Sequence, residues 1–392
     1  MKRTIKDILT LEGKRVLLRA DFNVPMDKNG KITDATRIVA ELPTIKYLMD
    51  RGAKVIICSH LGRPEGYNIK LSLWPVAMVL MRKFPGKVQF AQKTVGDDVL
   101  EQIEGMENGT MLLLENVRFH KEEEENDKKF AKQLADLADI YVNDAFGVAH
   151  RKHASNFGVA KMLPNAIGFL VENEVYTIKN AIETPEHPFV AIFGGFKIDD
   201  KIKAIYNIMQ QSETVIIGGA MAYAFLLAQN ISVGKAKISS EAVEVAKQIL
   251  AKAQELGKKV VLPIDHVVVN VDNENDKPIV VENITDDQIA YDIGPKTVAL
   301  FKAHIAKAKQ IIWNGPVGKY EDPRFQTGSI EVAKAVGKSK AYSIVGGGDT
   351  LSAISKSGVE NKISHISTGG GVTLKLLENS PLPAFDVIQE KI

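Results

Sequence analysis

The sequence predicts an α/β protein built from two doubly wound (Rossmann-like) parallel-sheet domains, joined by a hinge helix with an interdomain cleft. Three observations carry this. Short, continuous Val/Ile/Leu-rich runs alternate with stretches of helical period along the whole chain. Runs without polar alternation fit strands buried on both faces, as parallel strands are, and strand–helix alternation builds doubly wound sheets. The third is size. At roughly 150 residues per domain, 392 residues divide into two or three domains rather than one.

In chain order, the predicted strands are VLL (16–18), VIIC (55–58), MLLL (111–114) and IYV (140–142), then FVAIF (189–193), VII (215–217), VVLP (260–263), IIW (311–313), YSIV (342–345) and HIS (365–367). The intervening helices fall at 35–52, 127–138, 199–211, 239–257 and 327–336. The stretch VENEVYTIKNAIETPEHP (171–188) reads as a helix stopped by Pro185 and Pro188. We place the division there: 1–170 a first domain, 171–187 a helix and hinge, 188–378 a second domain.

Composition narrows the function. Lys+Arg 50 against Asp+Glu 48 leaves +2, which disfavours a general nucleic-acid binder. The single cysteine, Cys58, excludes an internal disulfide framework and suits a reducing cytosol. No apolar run reaches the ~18 residues of a membrane span, and MKRTIKDILTLEGK lacks a signal-peptide apolar core. The expectation is a cytoplasmic protein with small-molecule partners. The near-zero charge conceals an asymmetry: Arg3, Arg15, Arg19, Arg37, Arg51, Arg63, Arg82, Arg118 and Arg151 precede Arg324, the only later arginine. Arginine's planar fork suits carboxylate and phosphate.

Open α/β sheets bind ligands beyond the carboxyl ends of their strands. In the first half those ends run into charged and amide side chains: RADFNVP, SHLGRP, ENVRF and NDAFGVAHR. In the second half they run into glycine: FGGFK, IGGAM, NGPVG, VGGGDT and STGGG. Glycine lets backbone amides approach phosphate, and a following helix N-terminus favours an anion. A single GG pair reads more simply as a tight strand–helix turn; five in succession point to an anion site. GxxxxGK[ST] fails because position 332 is Val, and no GxGxxG follows a strand. Gly337 reads as a helix C-cap. Lys197 and Lys201 stand four apart at a predicted helix start, where the dipole disfavours cations unless an anion binds.

RVLLRADFNVP, DATRI, SHLGRP, NDAFGVAHR, GGFKIDDK, WNGPVG, GGGDT and STGGG occur in the order seen in the phosphoglycerate kinases, which this chain resembles from Arg15 to about Glu378. The resemblance implies reversible Mg²⁺-dependent phosphoryl transfer between ATP and 3-phosphoglycerate, a monomer, and a C-terminal segment, 379–392, returning to the first domain. It implies a triose site of Asp21, Phe22, Asn23, Arg37, His60, Leu61, Gly62, Arg63, Arg118 and Arg151, with Arg37 beside the reacting carboxylate. It implies a nucleotide site of Gly195, Lys197, Lys201, Gly219, Gly294, Asn314, Glu321, Gly347, Gly348, Asp349 and Thr350. Asp349 is the expected metal-associated carboxylate; Lys197, with Gly370 and Gly371, would support the moving phosphoryl group. Taken singly, Asp21 also reads as a turn cap, His60 as a core histidine and Asp349 as a helix N-cap. Arg15 and Arg19 read as packing or ion-pair residues, and Cys58 as an inert core thiol.

The implied nucleophile is a carboxylate, ionised at neutral pH, so no general base is required. Phe196 and Asp199 depart from the family pattern, as do Val148, Lys319, Tyr320, Val372, Thr373 and Lys375; none removes an implied ligand. Two other classes are open to the sequence: a non-catalytic metabolite-binding protein on this fold, and a kinase for an unphosphorylated carboxylate such as acetate. The number of arginines favours a phosphorylated substrate.

Overall fold

The computed structural model describes residues 1–273 and 277–391. Its chain divides into two compact units, Met1–Tyr176 with Pro381–Ile392, and Thr177–Ser380.

In the first unit the strands are β1 (Arg15–Arg19), β2 (Lys54–Cys58), β3 (Val88–Phe90), β4 (Met111–Leu113), β5 (Ile140–Asn143) and β6 (Asn165–Ile167). They form one parallel sheet in the order β3-β4-β2-β1-β5-β6. The order reverses between β1 and β5, so a ligand crevice opens beyond their carboxyl ends. Val16, Leu18, Val55, Ile57, Met111, Leu113 and Val142 lie in its buried core, together with Ile38, Ile45 and Leu48 of the Thr36–Asp50 helix. The final residues belong to this unit: the Lys391 amide donates to the Met1 carbonyl at 2.8 Å.

The second unit contributes β7 (Phe189–Phe193), β8 (Thr214–Ile217), β9 (Lys259–Val261), β10 (His266–Asn270), β11 (Ile279–Val281), β12 (Gln288–Ile293), β13 (Gln310–Asn314), β14 (Tyr342–Gly346) and β15 (His365–Ile366). Its main sheet, also parallel, runs β15-β14-β13-β7-β8-β9. The reversal here lies between β7 and β13, the strands that end in GGFK and NGPVG. Trp313, wholly buried in β13, anchors the core, and its indole donates to the Gly315 carbonyl at 2.7 Å, fixing the chain just past the strand.

Two parallel α/β sheets are what the sequence predicts. A second, antiparallel sheet of β11-β10-β12 was not anticipated. β12 reads QIAYDI, with Gln288 and Asp292 interrupting its apolar residues, so it lacks the apolar run used to find strands. β3 and β6 are three residues long and carry too little sequence for a pattern. Helix ends also moved. The predicted 199–211 helix begins at Ile202, and the helix starting at Thr327 continues to Lys338, so Gly337 is interior. A Cβ there would lie 2.8 Å from Val359, which makes Gly337 a packing glycine rather than a C-cap. Among the described residues no helix is long and apolar enough to cross a membrane.

Candidate active site

In the first unit, Asp21 follows β1. Its carboxylate accepts from Arg37 Nη1 at 2.7 Å and from the Asn23 amide at 3.1 Å. The Asn23 side chain accepts from the Gly62 amide at 2.9 Å, tying the loops after β1 and β2 together. Arg118, almost wholly buried, donates to the Gly62 carbonyl at 2.7 Å and lies 3.2 Å from Glu124. Arg151 reaches the same Glu124 carboxylate at 3.9 Å. The Arg118 contact with Glu124 is made through Nε, whereas the buried Nε of Arg151 has no hydrogen-bond partner. Arg63 is exposed and has no ion-pair partner among the described residues.

His60 shows the sign of the local field. Burial first, then the charges of Arg19, Arg118, Arg37 and Arg151, hold its imidazole well below the ordinary histidine value. Its Nδ1 lies 3.3 Å from Arg19 Nη2. Arginine only donates, so Nδ1 accepts and Nε2 carries the proton of the neutral ring. His153 is pushed down to about 3, by burial and then by Arg19, Arg118 and Arg151. A neutral donor histidine among arginines suits an anion.

Two predicted contacts change role. Phe22 is wholly buried; its amide donates to Ser59 Oγ at 2.8 Å and its carbonyl accepts from Val24. Both backbone groups of Leu61 are taken by the Asn116 side chain. These residues hold Asp21, Asn23 and His60 in place and present no free polar group of their own. Arg19, expected as a packing or ion-pair residue, is fully buried, donates to Ser155 Oγ at 2.7 Å and lies 4.0 Å from Glu123; it also sets the His60 tautomer. Arg15 pairs with Asp139 at 2.7 Å. The Cys58 thiol is buried and pushed up to about 12, hence protonated and inert.

In the second unit the loops after β7, β13 and β14 surround a cavity of about 360 Å³, within the range of ligand sites. Gly195, Phe196, Lys197, Asp200, Lys201, Asn314, Gly315, Pro316, Gly347, Gly348, Asp349 and Thr350 line it. Lys201 donates to the Asn314 side-chain oxygen and, at 3.1 Å, to its carbonyl. Burial pushes the Lys201 ammonium down to about 8 against the opposing pull of Asp200 and Asp349. Lys197 is exposed in the bend before the helix, and Lys201 is its N-cap residue. Thus the two lysines converge through a loop rather than along a helical face, correcting the predicted spacing argument. Thr350 Oγ1 accepts from the Gly315 amide at 2.7 Å, which leaves its hydroxyl proton to donate into the cavity.

Asp349 lies in the first turn of the Gly348–Ser357 helix, whose N-cap is Gly347 and which has no side-chain cap. The capping role considered for Asp349 is therefore not filled. Its carboxylate is exposed and without a hydrogen bond or ion pair among the described residues. Elsewhere the predicted glycines divide. Gly219, outside the cavity, has φ +66°, and a Cβ there would meet the Gly195 backbone at 2.6 Å and the Pro316 carbonyl at 2.8 Å. Gly294 is buried against Asp265, which accepts from the amides of Lys296 and Thr297, so it serves the start of the Pro295–Ile305 helix. Glu321 is exposed and Gly370 and Gly371 face open space; none of the three lines the cavity. Phe196, Asp200, Gly315 and Pro316 line it in addition to the expected residues. Asp200 was legible in GGFKIDDK.

Two doubly wound parallel units, one ending its strands in arginine and the other in a lysine–glycine anion cradle, define a phosphate-handling α/β class. Residues 5–380 match the family model described as Phosphoglycerate kinase. The chain is similar to the phosphoglycerate kinases of Finegoldia magna and Dictyoglomus turgidum, 49% and 48% identical, with all of both chains covered in each case. The solved phosphoglycerate kinase of Coxiella burnetii superposes with a TM-score of 0.88 at 40% identity, covering 99% of this chain and 98% of its own. That of Pyrococcus horikoshii gives 0.84 at 31%, with 98% of each covered. The chain belongs to the phosphoglycerate kinase family and is a phosphotransferase.

Proposed function

We propose that the enzyme transfers the γ-phosphoryl group of ATP to the carboxylate of 3-phosphoglycerate, reversibly and with Mg²⁺, without a general base. The observation that carries this is the arginine field around a neutral His60. Such a field complements a substrate bearing both a phosphate and a carboxylate.

Asp21 and Asn23 bind the hydroxyl end of the triose, and His60 Nε2–H, Arg63, Arg118 and Arg151 hold its phosphate. Arg37 stands beside the carboxylate that attacks. A carboxylate oxygen forms a bond to the γ-phosphorus as the bond to the bridging oxygen of ADP breaks. No proton moves. The obstacle is anion repulsion, about 4 kcal/mol per unit pair at 4 Å and an effective dielectric of 20. Arg37 and Lys197 offset it as charge shifts, with the Gly370–Gly371 helix start in support. Lys201, Asn314, Gly347, Gly348 and Thr350 hold the nucleotide phosphates; Gly195 leaves room for the base, Gly219 packs the turn behind it, and Glu321 accepts from the ribose.

Asp349 fits Mg²⁺. Among the described residues no three His, Cys, Asp or Glu side chains form a metal site; Asp349 and Asp200 both offer exposed carboxylates to the cavity, and Asp349 stands in the turn beside Gly347 and Gly348, which are assigned to the phosphates. Magnesium is commonly held this way, by one carboxylate together with substrate phosphates. When bound there it would neutralise phosphate charge. Residues 171–187 serve as the hinge, and the enzyme acts as a cytoplasmic monomer.

The test is a coupled assay of ATP-dependent phosphorylation of 3-phosphoglycerate. The wild type should be active, and Arg37→Ala and Lys197→Ala should each lose roughly 10²-fold or more in kcat. Full activity in both variants would overturn the site assignment.

A further inference from the structure

Beneath the arginine cluster lie two carboxyl groups that the proposed chemistry leaves unused. Glu41, in the Thr36–Asp50 helix, and Asp144, just past β5, are both completely buried. Glu41 Oε1 accepts from the Asp21 amide at 2.9 Å. Asp144 Oδ1 accepts from the Val171 amide at 2.9 Å, at the start of the Phe169–Glu183 helix. Within that helix the chain passes from the first unit to the second. The remaining oxygens, Glu41 Oε2 and Asp144 Oδ2, are each buried without a hydrogen-bond partner. Asp144 leaves no spare room: a Cβ on Gly168 would lie 2.2 Å from its carboxyl carbon.

Two ionised carboxylates do not stand together in such a place, since even one buried charge without a compensating partner is strongly disfavoured. The two side chains lie within hydrogen-bonding reach of each other, so one proton between the orphaned oxygens satisfies both. We propose that Glu41 and Asp144 share a single proton, held by Glu41, and act as a positioning pair. The pair clamps the Asp21 backbone, and through Asp21 the guanidinium of Arg37, to the first turn of the Phe169–Glu183 helix. The positioning half of this inference rests on Asp21 and Arg37 being substrate contacts.

The surroundings agree. Burial, then the charge of Asp144, raises Glu41 well above the usual carboxylate range, with Asp21 adding to the effect. Asp144 rises through burial, but the Thr44 hydroxyl, the amides of Val171 and Leu170, and Glu41 itself all favour its charged form. Arg37 is turned to Asp21.

Glu41→Gln tests this most directly, because the amide keeps an acceptor for the Asp21 amide and supplies a permanent donor to Asp144. It should retain near-wild-type kcat and KM, whereas Glu41→Leu, which loses both, should raise KM for 3-phosphoglycerate about tenfold and leave KM for ATP unchanged. Infrared difference spectra at pH 7.5 should show a protonated-carboxyl band in the wild type that Glu41→Gln removes. A native proton that the unfolded chain releases contributes stability that declines as pH rises above the ordinary glutamate value. The Tm of Glu41→Gln relative to wild type should therefore increase between pH 5 and pH 8. Absence of the band, or a Tm difference independent of pH, overturns the shared proton. A Gln variant as impaired as the Leu variant, or a Leu variant with unchanged KM, overturns the positioning role. The infrared and melting results stand apart from substrate identity, which Arg37→Ala tests separately.

Discussion

At the scale of single residues, burial decides which charges are available for chemistry. Lys201 is the sharpest case, because desolvation brings its ammonium down to about 8, so it loses its charge within reach of ordinary assay conditions. Below that value it is a cation facing the cavity; above it, a neutral amine held by Asn314. KM for ATP should therefore rise between pH 7 and pH 9 in the wild type. In Lys201→Gln, KM should be higher throughout and lack that rise. A pH series of initial rates distinguishes the two, and a parallel rise in the variant would show that Lys201 is not the titrating group.

At the scale of elements, the site is made by strand ends and the turns that follow them. β7 and β13 end side by side; the Gly194 amide donates to the Asn314 carbonyl at 3.1 Å and the Gly195 amide to the Pro316 carbonyl at 2.8 Å. Gly219 closes the turn after β8 against this junction, in a backbone conformation that side chains resist. Gly219→Ala should cost about 1–3 kcal/mol from backbone strain alone, a Tm loss of several degrees for a unit of this size. Gly348→Ala is the control, because its Cβ would meet nothing within 4 Å and its φ is not positive. It should melt close to the wild type. Equal melting temperatures for the two variants would remove the packing argument for Gly219.

At the scale of the whole molecule, the arginine cluster belongs to one compact unit and the lysine–glycine cavity to the other. The proposed transfer between a triose and a nucleotide calls on both, and it is this proposal that makes residues 171–187 a proposed hinge. Small-angle scattering should show a smaller radius of gyration with 3-phosphoglycerate and ATP together than with either alone. An unchanged radius would count against hinge closure. The charge balance of +2 hides this asymmetry: nine of the ten arginines belong to the first unit, while glycine turns with Lys197 and Lys201 line the cavity of the second.

The sequence by itself determined the alternation of parallel strands and helices, and which strand ends carry arginine and which carry glycine. Those properties reside in contiguous residues: apolar runs, caps such as Asp127 and Ser239, and motifs whose chemistry is local. Only the tertiary structure decided which polar atoms remain free. Phe22 and Leu61 sit within binding motifs, yet their backbone groups are consumed by Ser59, Val24 and Asn116. Glu41 and Asp144 belong to separate stretches of chain and share no motif, and β12 pairs with β10 without an apolar run to announce it. Burial and hydrogen-bond satisfaction depend on partners remote along the chain, so they exist only once the chain has folded.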